Sequence, residues 1–193
     1  MTNANLLFQC NSLLASLSHA SKKLKGINLN GCPVTDAFSR WLPPSPGCLK
    51  VNVDGAFSPH NGSGCGGILR DCAGSLQEAF MFKFLDGDSL GAELQALILG
   101  MELAWSKGLH NVTIEMDATE VFQLLKQRAT DHHRHSHLIQ QVRLYFERDW
   151  VPELIFIPRS SNAVADLLAN KALGGELGYQ LVTQITADLR GLL

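Results

Sequence analysis

The chain of 193 residues has almost no net charge, formally −2 at pH 7. A strongly basic balance would advertise a nucleic-acid binder; without it, any such binding has to come from a local arrangement of charge. Cysteine forms no framework. Cys10, Cys32, Cys48, Cys65 and Cys72 make no CxxC pair and no finger spacing. The odd count and the lack of a secretion signal lead us to expect reduced thiols in an intracellular protein, nuclear or cytoplasmic, with an organelle still open. No apolar run is long enough to cross a bilayer, so no membrane is expected as a partner. The N-terminal "LLFQCNSLLASLSHA" is broken by Gln, Asn and Ser, and no basic segment precedes it, which makes a poor signal peptide. The first acid is Asp36 and the first arginine Arg40. That start has a slight likeness to a transit peptide, weakened by the missing arginine. No internal repeat appears. "GSGCGG" (Gly62–Gly67) lacks the Lys-Ser/Thr of a phosphate loop and no helix follows it.

What is present is ordinary globular material, 46% hydrophobic and 18% charged, enough for one domain with a core. Residues 1–40 read as an N-terminal helix and linker, partly disordered. The helix would cover 5–19, with Leu6, Leu7, Leu13, Leu14 and Leu17 roughly on one stripe. "WLPPSPG" (Trp41–Gly47) has three prolines that forbid a helix. The domain is expected to start there and run over 41–173, leaving 174–193 as a tail.

From Cys48 onward the pattern is regular. "KVNVDGAFS" alternates, with Leu49, Val51 and Val53 on one side and Lys50, Asn52 and Asp54 on the other. Asp54-Gly55 looks like its end, since Asp-Gly often marks a turn. "GSGCGG" reads as a glycine-rich turn into "GILRD", and Ser75–Phe84 alternates again, which suggests an antiparallel meander. A helix follows on Leu94, Leu97, Ile98, Met101 and Trp105. Then come a strand over Asn111–Asp117, two helices, a short buried strand over Glu153–Pro158, and a helix in "NAVADLLANKAL" capped by Asn162 or Ser161. Right-handed β-α-β crossovers make the later strands parallel to the first. The fold class is α/β, with a mixed five-stranded sheet: three antiparallel strands, then two parallel ones.

Four acids occupy element starts or ends. Asp54 and Asp117 each end a strand on its polar face, and as parallel neighbours they would lie side by side at carboxyl ends. Glu93 lies in the first turn of the helix after the meander, and Asp166 in the first turn of the last helix. Taken singly, each is better explained as a turn residue, a cap or a dipole-favoured acid. Together they are a different matter. Four clustered carboxylates raise one another's pKa and need cations to balance them. Hard oxygen donors without His or Cys select Mg²⁺ or Mn²⁺. Two such ions suit phosphoryl transfer, one activating a water and the other stabilising the leaving oxygen.

"VNVDGA", "GCGGILRDCAG", "AELQAL", "IEMDA" and "RSSNAVADLLA" resemble, in order and spacing, the RNase H family. The nearest likeness is the plant-type RNase H-like domain found at the C-terminus of non-LTR retrotransposon reverse transcriptases, over about residues 41–173. The resemblance implies an RNase H-like fold and a metal-dependent endonuclease that cuts the RNA strand of RNA–DNA hybrids. Asp54, Glu93, Asp117 and Asp166 would hold two Mg²⁺, with Mn²⁺ as a substitute. Gly55, Asn162 and Arg159 would be the residues nearest the nucleic acid.

The chain departs from bacterial members in two respects. "FIPRSSN" has no histidine before the last helix, and Arg159 stands in that region. A guanidinium stays charged and is no proton shuttle. The basic handle is also missing, because "GLHNVTIEMD" follows the long helix directly. The alternative is therefore a catalytically inactive nucleic-acid-binding module or a retrotransposon remnant. "GSGCGG" as a turn would lie near a minor groove, where backbone groups meet 2′-hydroxyls. "DHHRHSH" (Asp131–His137) offers His133 and His137 four apart as a metal pair, but a solvated loop is the better reading. Lys126, Arg128, Arg134, Arg143 and Arg148 make a locally basic stretch that would suit phosphates. Trp105 and Trp150 read as core residues.

Overall fold

A computed structural model describes residues 27–28, 40–127, 132–150, 152–184 and 186–193. The expected helix over 5–19 lies outside these residues. The strands are β1 (Ile27–Asn28), β2 (Leu49–Ser58), β3 (Gly62–Arg70), β4 (Leu76–Phe84), β5 (Val112–Met116), β6 (Glu153–Phe156) and β7 (Gly178–Leu181). The helices are α1 (Ser89–Ser106), α2 (Thr119–Lys126), α3 (Ser136–Glu147), α4 (Ala163–Gly174) and α5 (Ala187–Arg190).

One mixed sheet holds all seven strands in the order β1-β6-β5-β2-β3-β4-β7. The meander β2-β3-β4 is antiparallel, and β5 and β6 add in parallel on the other side of β2. These are the five strands the alternation predicts. Two short edge strands extend the sheet. β1 pairs in parallel with β6, and β7 pairs antiparallel with β4. Isolated two- and four-residue strands carry too little local pattern to be read from sequence. The segment after 174 is therefore tied to the sheet through β7.

Helices cover both faces. α1 packs on β2 and β3 from one side and α4 on β3, β2 and β4 from the other. The larger core lies under α1, where Val51, Val53, Leu94, Leu97, Met101 and Ile114 are sealed from solvent. The smaller one, under α4, includes Ile68, Ala79, Val164, Leu168 and Leu189. Because both faces are covered, Asn52 and Asp54 on the "polar" side of β2 are as buried as their apolar neighbours.

Two expected turns are strand. β2 does not end at Asp54-Gly55 but runs on to Ser58, with Asp54 opposite Gly66 and Gly55 opposite Cys65 of β3. Gly55 has no Cβ because there is no room for one: it would lie 2.3 Å from the backbone nitrogen of Glu93 on α1. "GSGCGG" is likewise the first part of β3, buried throughout, with a short turn at 59–61 before it. A Cβ on Gly66 would lie 2.3 Å from Ala169 N of α4. These glycines let helices approach a strand closely. A buried strand has no surface for a minor groove, so the reading of "GSGCGG" as a 2′-hydroxyl contact falls.

Trp150 is buried and donates its indole N–H to Leu109 O at 2.6 Å. Trp105 is not a core residue. It is 38% exposed, meets Trp150 edge-on, and lies under the Arg148 guanidinium. No helix among the described residues is long and apolar enough to cross a membrane.

Candidate active site

β2 outruns its parallel partner. Their pairing stops at Asn52 opposite Glu115, and β5 ends at Met116. Two residues further along that register, Asp54 and Asp117 come side by side where β5 gives way to the loop before α2. Glu93 reaches this point from α1 and Asp166 from α4, so two acids come from the sheet and one from each covering helix. Glu93 is the fifth residue of α1, which begins one turn earlier than expected, at Ser89 behind the Asp88 cap. Dipole stabilisation in the first turn therefore does not account for it.

Asp54 is only 6% exposed. Burial, and then the charges of Glu93, Asp117 and Asp166, push its carboxyl from the usual 3.8 up to about 9. Burial and Asp117 push Glu93 up to about 8, against the opposing pull of the Gly55 N–H and the Arg159 guanidinium. The Gly55 N–H donates to Glu93 Oε2 at 3.1 Å, so the close strand–helix approach also aims the Glu93 carboxylate. Asp117 and Asp166 are half-buried. Arg159 donates to Asp166 Oδ1, and the charge of Asp166 holds the guanidinium more firmly protonated.

The four predicted acids thus share one electrostatic site. Among the described residues, no three His, Cys, Asp or Glu side chains are drawn together as a closed metal-ligand group. Like charges repel, and Arg159 occupies an oxygen of Asp166. The donor set is all oxygen, and its buried members are held protonated for want of positive charge. That is the chemistry of a site fitted to hard divalent cations.

The other predicted contacts fare differently. Arg159 has a largely exposed side chain beside Asp166. Gly55 is half-buried and its N–H is taken by Glu93. Asn162 is 1% exposed, which leaves no surface for nucleic acid. It sits at the start of α4, yet its side chain does not cap the helix. Its amide donates instead to Val53 O at 2.9 Å and to Asp117 Oδ1 at 2.8 Å.

Behind Asn162 lies a polar layer that the sequence did not reveal. Asn52 donates to Asn162 Oδ1 at 3.3 Å and to Glu115 Oε2 at 3.0 Å, and accepts from Arg70 Nη2 at 2.8 Å. Glu115 also takes the Trp41 indole N–H at 2.8 Å and pairs with Lys50 at 2.5 Å. The Trp41 ring covers Arg70, whose Cζ is 3.4 Å from the ring centroid. One signal was available: Asn52 and Glu115 share the strand faces of Asp54 and Asp117, two residues earlier.

In the histidine-rich segment, His133 and His135 are engaged with protein groups. His135 bonds Asp88 at 3.0 Å, Arg134 pairs with the same carboxylate, and His133 Nδ1 accepts the His135 N–H. This clasp ties the loop before α3 to the cap of α1. Arg128 of the basic stretch lies outside the described residues, and two others are engaged within the protein. Arg143 donates to Gln127 O, and Arg148 lies over Trp105 and Tyr145.

A family profile described as reverse transcriptase-like matches residues 52–172. The chain belongs to this family. The chain is 30% identical, over 177 residues and 91% of its length, to an Arabidopsis thaliana protein provisionally named a ribonuclease H protein. The chain spans only 28% of that relative's length. Among solved structures, the RNase H1 of the archaeon Halobacterium salinarum is 24% identical with a TM-score of 0.55, covering 66% of this chain and 98% of its own. The N-terminal RNase H domain of a Mycobacterium tuberculosis protein is 22% identical with a TM-score of 0.56, covering 65% and 93%. A metagenomic RNase H1 solved with an RNA/DNA hybrid is 20% identical with a TM-score of 0.55, covering 65% and 96%. At these identities the likeness is one of fold, and the RNase H-like fold is what the domain has.

Proposed function

We propose that this RNase H-like domain is a divalent-metal-dependent endonuclease that hydrolyses the RNA strand of RNA–DNA hybrids. The observation that carries the proposal is Asp54: an acid buried in a sheet, next to three other acids, is a poor structural choice and a good ligand site. The family and the fold neighbours, one of them solved with a hybrid, support the same reading. Asp54, Glu93, Asp117 and Asp166 would hold Mg²⁺ or Mn²⁺, which would acidify a water and neutralise charge growing on the leaving 3′ oxygen.

The protein's own part is positioning. Asp54 is set by the sheet and Glu93 by the Gly55 N–H. Asp117 is set by the Asn162 amide, and Asp166 by Arg159. Were a cation held by the oxygen that Arg159 engages, Arg159 would give it up, and its guanidinium would be available to a phosphate oxygen, which it matches in charge and geometry. Cleavage would leave a 3′-hydroxyl and a 5′-phosphate.

The Arg159–Asp166 pair, which supplies one acid with a cation from the protein itself, favours a second reading, a module that holds hybrid without cutting it. One experiment separates the two. Labelled RNA–DNA hybrid is incubated with the protein in Mg²⁺ or Mn²⁺ beside Asp54→Asn. Cleavage by the parent alone supports the endonuclease. Hybrid binding without cleavage by either supports the module, and equal cleavage by both reveals contamination.

A further inference from the structure

Arg70 is the largest polar side chain in the interior, 2% exposed, and no acid among the described residues touches its guanidinium directly. Its Nε has no hydrogen-bond partner among the described residues. Burial lowers its pKa to about 10, against the opposing effect of Glu115. A buried cation with an orphaned donor is costly, and an apolar side chain of similar volume would often stabilise such a position. The Trp41 ring over the guanidinium offsets part of that cost, but it leaves the Nε donor unmet.

The reason for an arginine here lies in the direction of the hydrogen bonds. Arginine can only donate. It therefore fixes Asn52 with the amide oxygen toward Nη2, at 2.8 Å. The Asn52 amide nitrogen must then face Glu115, which only accepts, and the oxygen of Asn162. That turns the Asn162 nitrogen toward Val53 O and Asp117 Oδ1. If Asn52 flipped, its oxygen would face the oxygens of Glu115 and Asn162; if Asn162 flipped with it, an oxygen would face the Asp117 carboxylate and push it away. The chain of bonds is polarised from Arg70 to Asp117, and Trp41 closes its far end.

We propose that Arg70 is a positioning residue that acts through Asn52 and Asn162 to orient the Asp117 carboxylate for a divalent cation. The proposal rests on the reading that Asp117 is a metal ligand. Groups behind a ligand commonly change metal affinity by about 10–100-fold when removed.

The test is Mn²⁺ affinity by calorimetry, with thermal melts and NMR of the asparagine side-chain amides. Arg70→Met is expected to melt no lower than the parent in chelator, yet to bind Mn²⁺ about 10-fold more weakly. Asn162→Ala is expected to weaken binding as much, and Arg70→Lys, still a donor, to restore most of it. A purely structural Arg70 would instead lower the melting temperature and leave Mn²⁺ affinity within about twofold. That result overturns the proposal. If Arg70→Met does not fold, Arg70→Gln, which can accept as well as donate and so no longer fixes the Asn52 amide, decides it by the same measure. If the parent itself binds no Mn²⁺, the metal reading fails, and the amides still decide the positioning. Hydrogen exchange at the Asn162 side-chain NH₂ should then rise sharply in Arg70→Met and stay near the parent's in Arg70→Lys, and unchanged exchange in Arg70→Met overturns it.

Discussion

Replacing Asp54 by Asn should stabilise this protein in the absence of metal. The folded state holds the Asp54 proton up to about pH 9, whereas an unfolded chain releases it near 3.8. Between those values the native state binds more protons than the unfolded state, so stability falls as pH rises through the window and levels off above it. Each pH unit is worth about 1.4 kcal/mol, and from 3.8 to pH 7 the ceiling is about 4 kcal/mol. Water entry and side-chain relaxation reduce this, and Asp54 titrates together with Glu93, so about 2 kcal/mol is expected at pH 7. The asparagine amide keeps the shape of the carboxyl and removes the charge. The assay is urea denaturation of both proteins in chelator from pH 4.5 to 8.5. The variant's advantage should be small at the acid end and grow toward the alkaline end. Adding Mg²⁺ should stabilise the parent and narrow the gap. An Asn variant less stable than the parent at pH 7 in chelator would refute the claim that Asp54 is a strained, cation-demanding acid.

Gly66→Ala forces a Cβ to within 2.3 Å of the α4 backbone, which has no flexible side chain to yield; a loss of about 3 kcal/mol is expected in denaturant melts. Gly55→Ala meets α1 in the same way, and should cost similar stability and also disturb Glu93. Arg159→Ala should tighten Mn²⁺ binding in calorimetry by freeing Asp166, while lowering hybrid affinity in a filter-binding assay. Lys107→Ala, which breaks an ion pair with Glu78 at the surface, should change the melt by no more than about 0.5 kcal/mol.

The element order, the parallel placement of β5 beside β2, and the four acids were all legible along the chain. Alternation over Leu49–Asp54 and Val112–Met116 and the helical spacing from Leu94 to Trp105 are local patterns, and side-chain period needs no knowledge of the fold. Residues with two plausible local meanings were not legible. Asp-Gly and "GSGCGG" carry turn chemistry, yet here their glycines answer to helices packed on them, Gly55 to Glu93 and Gly66 to Ala169. The propensity was overruled by a close approach between segments distant in sequence.

The same division runs through the site. Which acids the fold brings together follows from element order; where they stand within their elements does not, since Asp54 lies inside β2 and Glu93 beyond the first turn of α1. Nor does how Asp117 is held. Asn162 reaches Val53 across 109 positions and Asn52 across 110, and Trp41 reaches Glu115 across 74. Such partners leave no local period, because a hydrogen bond between amides depends on where three separate strands and a helix come together. Sequence was enough to place the carboxylates. Tertiary structure decided what surrounds and orients them, because burial and bond direction exist only once the chain has closed on itself.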